Sequence, residues 1–432
     1  MESTIANLID TKPQYKKDRV LYILQAAIEY FITIMVGTTY IAKVGIEIGM
    51  NDSSVALLSS VLQFSYTFQL LAMFFNKFKH PKKWITPFLL IIEVCFTLVY
   101  IIPIMPLPQG VRPLILVAAV VAGWGLHNIN SVAKSTWMIG FVPDDRRGKF
   151  TALCQTVSLI SGTVFTYVIG SIIDYYEALG DMHSAFIVMG IIIACISIIH
   201  VILFLCTKEI PNEDFVNVSL IDQVKSIVKN KNLMKIMPIY ALYYMAYMCV
   251  IPFYHTYSIK ELGFSMSYLA IMTAISSLSR SVASIFLGKY GDKHGFVRML
   301  NIAFIFVGSA CVLKIFTVPE NGQILYPIAT VLVAISNAGI GVADANIIFE
   351  YAPLDVRVGA LAIKGTLVGI VSFLVTLAAT PIVNYIQANG NQIFGINMYA
   401  QQFMSIISVI GMVIVLIYVN TVAKTAQKYR EQ

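Results

Sequence analysis

Charge is what this chain has least of. Only 12% of its 432 residues are Asp, Glu, Lys or Arg, about half the share found in a soluble domain. That is too little polar surface to keep a water-soluble globule of this size in solution. Cysteine offers no scaffold either. Cys95, Cys154, Cys195, Cys206, Cys249 and Cys311 all fall in or at the ends of apolar runs, where they pack as small hydrophobes and give neither a disulfide framework nor metal spacing. His-Glu-x-x-His, Gly-x-Ser-x-Gly, a Cys/His cluster and a phosphate-cradling glycine loop are all missing. These absences exclude the usual hydrolase, metalloenzyme and nucleotide-driven pump readings, so the chain is read as non-enzymatic, with no cofactor and no metal. The first nineteen residues are polar and basic, with no cleavage site before the first apolar run, and that run is read as retained.

Long hydrophobic runs are what fill the space. Hydrophobic residues make up 58% of the chain, and about 20 apolar residues suffice for a helix to cross a bilayer. Twelve such segments are expected, near 20–42, 54–76, 85–105, 112–140, 150–174, 184–206, 234–259, 266–290, 298–318, 326–350, 358–386 and 396–422. The fold class is therefore an all-α membrane protein, with the lipid bilayer as its solvent. Threaded through these spans, 23 of the 30 Lys and Arg residues collect on one side. Only Lys43, Arg112, Lys260 and Lys314 fall on the other. The side rich in Lys and Arg is the cytoplasmic one, which places both termini there and the protein in a cell (plasma or inner) membrane. The net charge of +7 is a topology signal spread over separate segments, so no nucleic-acid partner is expected.

The longest polar interval, 207–233, divides six spans from six. It is read as a cytoplasmic linker with a short surface helix around Leu220, Val224, Ile227 and Val228, between halves at 1–206 and 234–432. A motif repeats across the divide. Pro143-Asp144-Asp145-Arg146-Arg147-Gly148 follows span 4, and Pro353-Leu354-Asp355-Val356-Arg357-Val358-Gly359 follows span 10, 210 residues later. Between spans 8 and 9 lies Gly288-Lys289-Tyr290-Gly291-Asp292-Lys293-His294-Gly295, with Arg298 just beyond. Gly288 suits a close approach of helix ends, Asp292 suits a cap or an ion pair, and Lys293 and Arg298 hold the loop to the cytoplasmic side.

In these features the chain resembles the major facilitator superfamily of transporters over essentially its whole length. The resemblance implies two pseudo-symmetric six-helix bundles, with spans 1, 4, 7 and 10 lining a central cavity. One departure stands out. The loop after span 2, Phe75-Asn76-Lys77-Phe78-Lys79-His80-Pro81-Lys82-Lys83, keeps the basic residues but lacks the Gly and Asp of the signature.

Ionisable groups at membrane depth are expensive, and each is a functional candidate by default. Glu29, Glu93, Lys134, Arg280, Asp344 and Lys364 lie in mid-span. Glu93, on a span that packs peripherally in the family, reads as structural. Lys134 and Asp344 are 210 apart, each nine residues before the repeated Pro, which is ~13 Å from the helix end. Their matched depth and opposite signs predict that they approach each other across the two halves when the cytoplasmic side is closed; the alternative is pairing within each half, Lys134 with Glu29 and Asp344 with Arg280 or Lys364. His127, Asn130 and Trp137 accompany Lys134 on span 4, and Asn337 accompanies Asp344 on span 10. Thr33 on span 1, Gln63 and Tyr66 on span 2, and Tyr243, Tyr244 and Tyr247 on span 7 complete the candidate cavity. Tyr254 and Tyr257 read as interfacial anchors, and the remaining histidines as packed or interfacial.

The function expected is secondary transport of a small polar organic solute, sugar-like or an organic anion, by alternating access. It is coupled to protons through Glu29 or Asp344 and carried out by a monomer. A drug or metabolite efflux antiporter of the same fold is the alternative within the class. A transport-inactive membrane sensor is the alternative outside it.

Overall fold

The computed structural model of the chain describes residues 15–72, 80, 82–141, 147–209, 220–353, 357–393 and 395–428. Among them, twelve helices are long and apolar enough to cross a membrane: Lys16–Glu47, Asp52–Leu71, Lys82–Ile104, Arg112–Ser131, Leu153–Ala178, Met182–Cys206, Lys231–Lys260, Met266–His294, Phe296–Phe316, Gly322–Asp344, Gly359–Ala388 and Ala400–Thr425. Each of the twelve apolar segments expected from sequence coincides with one of these spans. Helix is the only open choice for such runs, because lipid offers no partner to a free N–H or C=O. The surface agrees. On span 8, Leu278, Val282, Ile285 and Phe286 form one stripe and are 68, 49, 58 and 69% exposed, a face that is stable only against acyl chains.

Two spans are broken in mid-course. Span 1 consists of the helices Lys16–Met35 and Thr38–Glu47, and span 7 of Lys231–Met248 and Ile251–Lys260. At the first break, a Cβ on Gly37 would lie 2.9 Å from the Ile34 carbonyl oxygen, so only glycine lets the chain turn there. At the second, Pro252 sits in the opening turn of the new helix, where a missing N–H costs nothing. Spans 1 and 7 correspond in the 210-residue repeat, so the break is itself repeated.

The chain divides into two compact units. The first holds residues 1–50, 68–217 and 265–270, and the second 51–67, 218–264 and 271–432. In the first, span 1 packs on spans 5 and 6, and span 3 on spans 4 and 6. In the second, span 9 lies against spans 10 and 12, and span 7 against spans 11 and 12. The helix Asp52–Phe64, which opens span 2, runs in the second unit along span 11 and the second helix of span 7. Polar contacts fasten its start. Lys260 Nζ and Gln387 Nε2 donate to the Asp52 carboxylate at 2.5 and 2.7 Å, and Ser53 bonds Asn384. The polar interval between the halves does contain a short helix, Leu220–Lys229, whose Ile227 is buried.

Three sequence-based placements are corrected. Lys43 is not in a loop. It lies inside span 1, buried, with Glu177 at 2.5 Å and Glu47 at 3.2 Å. Lys314 likewise sits in the last turn of span 9, with 6% of its surface exposed. At Lys43 the expected run stops at the charge while the helix continues to Glu47; Lys314 lies within both the expected run and the observed helix, and what differs is its burial. Tyr254 and Tyr257 are 5% and 0% exposed, so they are packed inside the second unit and do not anchor an interface.

Candidate functional site

In the first unit, ionisable side chains from four spans meet around one narrow space. Glu29 of span 1 accepts from Lys134 Nζ of the span 4 helix at 2.7 Å. His127 Nδ1, two turns earlier on that helix, lies 3.7 Å from the other Glu29 oxygen. Glu93 of span 3 takes Ser197 Oγ at 2.6 Å and faces His200 Nδ1 at 2.5 Å, both from span 6. Glu29, Thr33, Glu93, His127, Asn130, Lys134 and His200 all line the same small cavity, with space for about one water. Asn130 joins the helices by donating to the Ile85 carbonyl at 3.3 Å, and among the described residues its own side-chain oxygen is buried without a hydrogen-bond partner, as is His200 Nε2. Two carboxylates, two imidazoles and an ammonium thus share a poorly hydrated space, where the position of one proton changes the charge balance of the whole group. The arrangement is not a metal site, for among the described residues no group of His, Cys, Asp and Glu could hold a metal ion.

Glu93, read from sequence as structural, is turned onto the neighbouring span 6, where the packed His200 is its partner; the sequence reading did not bring the two into one cavity with Glu29 and Lys134. The sign available in the sequence was Ser197 and His200 at i, i+3 on one face of an otherwise apolar helix.

In the second unit, Lys364 of span 11 reaches Asp344 of the span 10 helix at 2.5 Å, and its ammonium lies 4.8 Å from the centre of the Tyr240 ring. The lysine is 4% exposed and the aspartate 58%, so the pair has one buried and one open end. Tyr66 and Tyr244 are near enough to feel the Asp344 charge. Tyr243 stacks on Tyr247 with ring centres 5.4 Å apart and meets Tyr244 edge-on at 5.0 Å. Asn337 stands beside Tyr247. Gln63 is half-buried. Arg280 is exposed and makes no ion pair among the described residues, so Lys364 is the partner of Asp344. Each mid-span acid is therefore paired within its own unit, the arrangement named as the alternative to the Lys134–Asp344 pair expected of the closed state.

At the loop between spans 8 and 9 the helix runs straight past Gly288, whose surroundings are open, and ends only at Gly295, where φ is +89°. Only glycine takes this backbone readily, and it lets the ion pair of Glu350 with Lys428 settle against the turn. Asp292, Lys293 and Arg298 are exposed, and Asp292 makes no hydrogen bond or ion pair among the described residues. Glu350, which the sequence did not single out, carries the ion pair here. Arg357 donates to the carbonyls of Ala352 and Phe349, both at 3.1 Å, and so closes the free end of the span 10 helix. Asp145, Asp355 and the side chains of Trp137 and Arg147 lie outside the described residues.

The Major Facilitator Superfamily model matches residues 22–376 and 236–432. No curated protein matches the chain in sequence. Among solved structures, the chain is similar to a single-substitution form of the nucleoside transporter NupG, with a TM-score of 0.71 at 13% identity over 94% of this chain and 99% of that one. It is similar also to a bacterial homologue of the human lysosomal transporter Spinster, with a TM-score of 0.68 at 12% identity over 98% and 100%. A D-xylose-proton symporter follows with a TM-score of 0.63 at 13% identity over 92% and 97%. At these identities the likeness is one of fold.

Proposed function

The chain belongs to the major facilitator superfamily of membrane transporters, and on that premise we propose that it is a proton-coupled secondary transporter of a small polar organic solute. The halves 1–206 and 234–432, joined by 207–233, rock about a midplane site. One chain supplies both halves, so a monomer suffices. The Lys and Arg bias supports cytoplasmic termini and a cell membrane.

The observation that carries the proton reading is the shared cavity of Glu29, Glu93, His127, Lys134 and His200. An ion pair held only for structure needs two partners. Here two acids and two imidazoles border one space, and the unpartnered His200 Nε2 gives a proton a place to land. Moving a proton within this group changes which carboxylate is neutral, and with it the strength of the Glu29–Lys134 tie between spans 1 and 4. In the second unit, the tyrosines, Asn337 and the Asp344–Lys364 pair suit a solute with hydroxyl or anionic groups, through stacking and hydrogen bonds. Two of the similar structures carry a nucleoside and D-xylose by their names, which are both hydroxylated solutes.

The substrate is first found by screening purified protein for ligand-induced thermal stabilisation against a metabolite library. Uptake of that solute into proteoliposomes is then driven by a pH gradient alone. Wild type accumulates it. Glu29→Gln abolishes accumulation but leaves counterflow exchange measurable. Accumulation that persists in Glu29→Gln and in Glu93→Gln would remove the proton role from this cluster.

A further inference from the structure

A second polar cavity lies wholly inside the second unit, away from the Asp344–Lys364 pair. It is enclosed by spans 7, 8, 9 and 10 and measures about 530 Å³ counting its open mouth. Lys314 projects into it from the last turn of span 9. Lysines at the ends of membrane helices ordinarily snorkel to water; this one is buried, with 6% of its surface exposed, and its ammonium sits 4.3 Å from the centre of the Tyr254 ring. Among the described residues no carboxylate lies within ion-pair distance of it. Glu261 and Glu320, acids of that end of the unit, gather instead around Tyr257 and Tyr399. The ring face of Tyr254 offsets part of the desolvation of one positive charge, but it does not neutralise that charge. His255, on the same wall, stands close enough to feel it.

The remaining walls mix the aliphatic Ile251, Ala329 and Val333 with aromatic and hydroxyl groups. Tyr247, Tyr254 and Tyr326 supply aromatic surface, and Ser276 and Thr330 supply hydroxyls. A mostly apolar cavity of this size with one charge and a few hydroxyls is the usual make-up of a small-molecule site. We propose that this cavity binds an organic monocarboxylate. The carboxylate pairs with Lys314 Nζ, its free lone pairs take the hydroxyls, and an aromatic or similarly flat body lies among the tyrosines. One ammonium calls for one negative charge, which favours a carboxylate over a phosphate. The assignment rests on the transporter reading only in making this ligand a candidate substrate or modulator; the binding itself needs no gradient and no transport.

The test therefore reads binding in detergent, with sodium benzoate as the probe. Benzoate is compared with neutral benzamide, with sodium chloride and with inorganic phosphate at equal ionic strength. Wild type should be stabilised against heat by benzoate in a saturable way, and not by the other three. Lys314→Gln should weaken the benzoate response tenfold or more, as expected from loss of one charge-assisted hydrogen bond, while Lys314→Arg keeps it. Should Lys314→Gln fail to fold, Thr330→Val and Ser276→Ala must each weaken benzoate binding without lowering the ligand-free melting temperature. Equal effects of benzoate and benzamide on wild type would overturn the proposal. So would stabilisation by phosphate alone, or a full benzoate response in Lys314→Gln. None of these results bears on proton-driven uptake, so failure here and failure of the transport reading are separately visible.

Discussion

Glu29 and Lys134 lie 2.7 Å apart, with side chains 25% and 6% exposed. At an effective dielectric near 20, their gross attraction is about 6 kcal/mol, much of it offset by the cost of dehydrating both groups. Removing one partner exposes the asymmetry. Glu29→Gln strands a buried ammonium. A destabilisation of about 3–5 kcal/mol is expected. Lys134→Met is milder. Glu29 is partly hydrated and keeps the His127 imidazole 3.7 Å away, so about 2 kcal/mol is expected. The double variant Glu29→Gln/Lys134→Met strands nothing and should lose only about 1 kcal/mol. Denaturant unfolding of all four proteins in mixed micelles closes the cycle. The double variant should be more stable than the sum of the singles by about 4 kcal/mol or more. Additivity within about 0.5 kcal/mol would refute the argument, since the two charges would then be independently solvated.

Pairing within each unit also bears on charge reversal. Lys134→Asp should face Glu29 with a second acid, and Asp344→Lys should face Lys364 with a second base, so each single abolishes uptake and the double swap recovers none of it. A double swap that transports better than either single would establish a direct Lys134–Asp344 contact in some state. At the turn after span 8, Glu350→Gln should speed hydrogen exchange of the amides around Gly295 and Asp292→Ala should not, because the ion pair there is Glu350 with Lys428; the reverse ranking would restore the sequence-based choice of Asp292. Gly295→Ala forces a side chain into a φ of +89° and should cost about 1–3 kcal/mol in denaturant unfolding, whereas a loss no larger than that of an exposed surface substitution would mean that the turn relaxes freely.

The sequence by itself determined the class of the molecule. Twelve apolar runs leave a single class of solution, a bundle of membrane-spanning helices, because lipid forbids unpaired backbone. The 210-residue repeat of Pro-x-Asp-x-Arg is legible for the same reason that a repeat is visible anywhere: short-range spacing survives in the linear order. Helix periodicity also placed Lys134 beside His127 and Asn130. Partners could not be read this way. Nothing in the order of residues says that Glu29 meets Lys134 across 105 positions, that Glu93 turns to His200, or that Asp344 takes Lys364 and leaves Arg280. Those choices depend on which helix faces meet, and apolar spans pack by shape with little sequence-local signature. The same limit explains Lys43 and Lys314. Hydropathy places such a charge near the end of a span, and only packing decides whether it reaches water or is folded inside.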